Sequence, residues 1–103
     1  MVQQEEIRRL QQQAEDCIRR AEACAGQPDP AQVQLLRALK LLQQLLELTR
    51  EQRWADSAGE ICLQLTDLSM QQGNMHGADV CYARAMCYAR GLWFPEENRQ
   101  SGS

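Results

Sequence analysis

Apolar residues recur at alternating spacings of three and four along most of this chain, and the pattern predicts four helices. Ile7, Leu10, Ala14, Cys17, Ala21 and Cys24, with Ile18 beside them, make a narrow stripe on an otherwise charged helix over about 3–25. Gly26 ends it, and Pro28-Asp29-Pro30 predicts a stiff turn with Asp29 as N-cap and Pro30 at the first helical position. The second helix, about 30–50, carries a broad stripe of Leu35, Leu36, Leu39, Leu42, Leu45, Leu46 and Thr49, widened by Leu41 and Leu48. A stripe that wide implies contact on two sides and places this helix at the centre of the domain. The third, about 54–72, repeats Trp54, Ala58, Ile61, Cys62, Leu65 and Leu68, and Gly73-Asn74 predicts a left-handed end to it. The fourth, about 75–91, carries Ala78, Cys81, Tyr82, Ala85, Tyr88 and Ala89, with Leu92 just beyond. Short connections imply antiparallel neighbours. The expected architecture is one all-α domain over 1–95, with 96–103 as a flexible tail.

Composition strengthens the helical reading. The chain has 103 residues, and its apolar content comes from Leu, Ala, Cys and Met while Ile and Val are scarce. Unbranched side chains lose little rotamer freedom in a helix, so the bias is against strand. A net charge of −3 argues against a general nucleic-acid binder, which needs a concentrated basic face. Arg8, Arg9, Arg19 and Arg20 do cluster, but Glu5, Glu6, Glu15, Asp16 and Glu22 are interleaved at pairing distance. The five cysteines fall inside helical patterns, which suits free thiols in a reducing compartment, cytoplasmic or nuclear. No apolar run is long enough for a membrane span, and the amino terminus lacks a signal-peptide core.

Within 62–90, Ala78, Tyr82 and Ala85 form a small-large-small ladder, preceded by Cys62, Leu65, Thr66 and Ser69 on the previous helix and Gly73 at the turn. This resembles a divergent tetratricopeptide (TPR) hairpin, in which alanines let paired helices approach closely. A fainter likeness sets Ala58, Cys62 and Leu65 against Leu42, Leu45 and Leu46 of the helix before. The resemblance implies a TPR-like α-hairpin array, or a helical bundle, that acts as a non-catalytic scaffold. The Pro-Asp-Pro turn before a leucine-rich helix also resembles the amino-terminal helical domain of transcription elongation factors, although the basic segment of that family is absent.

Catalytic chemistry is not indicated. His76 is the only histidine and has no second ligand at metal-binding spacing; Cys17/Cys24 and Cys81/Cys87 do not form a Cys-x2-Cys pair. No phosphate-binding glycine loop or nucleophile elbow occurs. The expectation is therefore no enzyme, no cofactor and no metal. The residues expected to contact a partner helix or peptide are Trp54, Trp93 and Phe94, with Arg50, Arg53, Arg84 and Arg90 framing them, because aromatic and arginine side chains dominate binding hot spots. The regular stripe of the first helix offers an alternative, homo-dimerisation through that helix.

Overall fold

The computed structural model describes residues 2–24 and 26–92, with Val2 described by its backbone alone. Four helices follow in order: α1 (Val2–Ala23), α2 (Pro28–Thr49), α3 (Gln52–Gln71) and α4 (Met75–Ala89). Trp93, Phe94 and the expected flexible tail lie outside the described residues.

The helix ends show where local chemistry departs from expectation. α2 begins at Pro28, with Gln27 as N-cap, rather than at Pro30. Ala31 N–H already bonds the Gln27 carbonyl at 3.2 Å, so both prolines fall in the first turn, where a missing donor costs nothing. Asp29 is consequently not the cap. Its carboxylate accepts a hydrogen bond from Gln72 Nε2 at 2.9 Å, tying the start of α2 to the end of α3. The α2–α3 corner has no glycine or proline, and Arg50 makes the turn instead, at φ 57°. Arg50 N–H bonds the Leu46 carbonyl, and the Thr49 hydroxyl accepts from Glu51 N–H at 3.3 Å. α3 therefore starts at Gln52, two residues before Trp54.

Gly73, at φ 77°, closes α3 as expected. Its N–H bonds Met70 O, and Asn74 N–H bonds Ser69 O, which satisfies two carbonyls of the last turn. The Asn74 side chain then caps α4 by accepting from Gly77 N–H at 2.9 Å. One residue thus ends one helix and starts the next. A β-carbon at Gly77 would collide with that Asn74 amide. α4 ends earlier than the expected Gly91. Gly91 turns at φ 76°, and Leu92 N–H bonds Cys87 O at 2.8 Å.

Three hydrogen bonds show that all neighbours are antiparallel. Gln3 Nε2 reaches Leu48 O, Gln72 Nε2 reaches Asp29, and Gln52 Nε2 reaches Tyr88 O. The helix backbones approach one another only in chain order: α1 with α2, α2 with α3, α3 with α4. A closed four-helix bundle would also bring α1 against α4. The envelope of 39 × 35 × 15 Å agrees with an open row. One long dimension is a helix length, about 33 Å for α2, the other is the width of the row, and 15 Å is the depth of two helix layers. α1 and α3 flank Ala31 and Leu35 of α2 across one shallow cavity, while Gln43 of α2 donates to the Tyr88 hydroxyl of α4 at 3.0 Å. The row therefore zigzags, with α1 and α3 in one layer and α2 and α4 in the other.

The core runs along the seams of this row. α2 supplies its centre, with Leu35, Ala38, Leu39, Leu42, Leu45 and Leu46 all buried. Each such leucine contributes about 1.5–3 kcal/mol by leaving water. Leu36, placed in the same stripe by the periodicity, is exposed, because the two neighbours of α2 leave an arc of it in solvent.

Candidate functional site

The residues expected to meet a partner are distributed unequally. Trp54 is 7% exposed and belongs to the core, so it is withdrawn from that surface. The reason is the earlier start of α3: Trp54 sits in its first turn, facing the α2 seam, not at an exposed end. The Arg53 guanidinium lies 4.5 Å above the Trp54 ring and bonds Glu51 at 2.7 Å, so part of its charge is already engaged. Arg50, Arg53 and Arg90 share one end of the row, because the Gln52–Tyr88 bond brings the start of α3 to the end of α4. Arg84 stands apart, further up α4, on the flank near Cys62 and Tyr88.

The stripe of α1 is also accounted for. Leu10, Ala14, Cys17 and Ala21 are buried within this one chain, and Ile7 and Ile18 pack against the same core. Most of the stripe is thus covered within one chain, with Ile7 and Ile18 only partly buried.

α4 presents the opposite case. Ala78 and Ala85 are buried against α3, as their small size suggests, and Gly59 lets α3 come close to Ala85 and Tyr88. Tyr82 does not join them. It is 52% exposed, and Tyr88 is the tyrosine that fills the core. The reason is angular: Tyr82 stands about 120° from Tyr88 around the helix, away from α3, measured by helical periodicity. The small-large-small ladder of α4 is therefore two buried alanines with a tyrosine turned outward.

Tyr82 has company. Met75, Tyr82 and Met86 recur at helical spacing on one face of α4, and Leu63 and Met70 recur seven apart on α3. A groove of about 150 Å³ between Gly59, Leu63, Ala85, Met86 and Ala89 shows that the two rows border the same side of the α3–α4 seam. Met70, Met75 and Tyr82 are each more than half exposed. The periodicity leaves Leu63 and Met70 out of the α3 stripe, and that exclusion was the available signal: two apolar residues outside the buried arc.

Behind the groove the seam is buried. Burial, with the neighbouring Cys81 adding to it and Arg84 opposing it, pushes the Cys62 thiol up to about 11. Burial likewise raises Tyr88, although its hydrogen bond from Gln43 works against the rise. A raised thiol is a poor nucleophile at neutral pH, so Cys62 packs and does not react. All five cysteines are unpaired, and among the described residues no group of His, Cys, Asp or Glu could hold a metal ion. No helix among them is long and apolar enough to cross a membrane. Comparison with protein-family profiles, curated proteins and solved structures finds no match to this chain.

Proposed function

We propose that this chain is a non-catalytic interaction module that holds a helix or peptide of another protein against the α3–α4 end of its row. One observation supports the reading above others: five of the eight large apolar residues exposed among the described residues, Leu63, Met70, Met75, Val80 and Tyr82, lie on α3 and α4, and a groove runs along that seam. Exposed apolar surface concentrated at one place marks association sites in water-soluble domains. Large flexible methionines and an aromatic ring suit such a face, because they adapt to a partner and bury much area. The cluster Arg50, Arg53 and Arg90 lies at the α4 carboxyl end and would meet an acidic or carboxylate-bearing end of the bound segment.

Affinity capture with the full chain, run beside Tyr82→Glu, tests this. Partners held through the groove are lost from the variant while its helicity by circular dichroism stays at the wild-type level. Retention of every partner by Tyr82→Glu would remove the reading.

A further inference from the structure

Away from the end that holds Arg50, Arg53 and Arg90, the α3–α4 groove is bordered by carboxylates. Asp56 and Glu60 line it from α3 beside Leu63, and Asp79 sits between Met75 and Tyr82 on α4. All three are exposed. Asp56 accepts a hydrogen bond from Gln52, whereas Glu60 and Asp79 have no ion-pair partner among the described residues. The exposed side chains of α1, by contrast, pair locally, as Arg9 does with Glu6 and Arg19 with Asp16.

From these observations we infer that the occupant of the groove is an amphipathic helix whose apolar stripe is flanked by lysine or arginine. The inference rests on the proposed function and specifies its partner. The fold supplies the place. An incoming helix laid over Met75, Tyr82 and Met86, with Leu63 and Met70 on its flank, repeats the relation that α1 and α3 have across α2. It extends the zigzag by one member. The charge supplies the selection, since a basic flank meets Asp56, Glu60 and Asp79 and an acidic flank is repelled by them. The same carboxylates count against a second copy of this face, which would bring like charges together.

The test uses the full chain and three fluorescent peptides of about 20 residues, long enough to populate helix. All share one Leu/Ala stripe and carry Lys, Gln or Glu flanks. At low salt the Lys peptide binds about tenfold more tightly than the Gln peptide, the sum expected of a few exposed pairs, and the Glu peptide binds weakest. Added salt brings the Lys and Gln peptides toward parity. Tyr82→Glu abolishes binding without loss of stability, and Asp56→Asn with Glu60→Gln and Asp79→Asn lowers the Lys peptide to the Gln level. Equal, Tyr82-dependent binding of all three peptides would overturn the charge inference and leave helix capture standing. Binding insensitive to Tyr82→Glu would overturn the site. No binding of any peptide, with a dimer in sedimentation that Tyr82→Glu converts to monomer, would assign the face to a second copy and overturn both.

Discussion

α1 and α4 occupy equivalent places, each at one end of the row with one neighbour, and they solve the same problem differently. Both bury a thin stripe of small and medium residues: Leu10, Ala14, Cys17 and Ala21 on α1, Ala78, Ala85 and Tyr88 on α4. Away from the stripe, α1 is Glu, Arg and Gln, while α4 carries Met75, Val80 and Tyr82 in the open. Linear helical arrays need polar outer faces at their ends to stay soluble. Among the described residues α1 meets that need and α4 does not, so the row has one end closed by polar residues and one end left open and apolar.

The comparison can be tested first at its two buried anchors. Tyr88→Ala removes a large ring and the acceptor for Gln43, and is expected to cost about 3–5 kcal/mol in denaturant unfolding. Leu10→Ala, at the other end, should cost about 2–4 kcal/mol. Because α1 and α4 share no contact, the double variant should lose the sum to within about 0.5 kcal/mol. A clear departure from that sum would mean that the ends communicate and the row is closed.

Alkaline pH should separate the ends next. Burial pushes the Cys62 thiol in the α3–α4 seam up to about 11, against 9.0 for an ordinary thiol. Between those values the unfolded thiol is ionised and the folded one is not, so stability present below pH 9.0 falls as pH rises toward about 11. The loss is about 2 kcal/mol, and the raised Tyr88 hydroxyl adds to it in the same direction. Cys62→Ala should flatten the thiol part of this slope in urea titrations at several pH values. Hydrogen exchange should show α3 and α4 opening before α1 as the pH rises. Equal opening at both ends would contradict the assignment.

A smaller effect is expected at the α3–α4 corner. Asn74→Ala removes the side-chain cap of α4 and should cost about 1 kcal/mol, with the lost protection confined to the first turn of α4. Protection lost at α1 as well would show that the open end is coupled to the closed one.

Much of the fold could be read from the sequence because its apolar residues are rationed. On α1 the few apolar positions fall on one line among charges, so periodicity alone selects Leu10, Ala14, Cys17 and Ala21. On α2 the breadth of the leucine stripe signals two neighbours, although it cannot say that Leu36 falls in the arc between them. α4 resists the same treatment, since it is apolar nearly all round. Tyr82 and Tyr88 are the same residue type, and only the direction of α3 separates the buried ring from the exposed one. Trp54 misleads for a related reason. A helix end placed two residues late makes a core side chain look terminal. The Arg50 corner left no mark, because a left-handed turn is signalled by glycine and here an arginine adopts it. Antiparallel packing, which no local pattern encodes, sets Arg50 and Arg53 at the start of α3 beside Arg90 at the end of α4, and Arg84 lies further up α4.

The bond from Gln43 to the Tyr88 hydroxyl has a mechanical meaning. It passes over α3 to connect two members of the same layer, so its length is set by how sharply the row bends at α3. Flattening the row would break it and tightening the row would compress it. A load that tilts α4 is therefore felt at Gln43 of α2 as well as along the α3 seam.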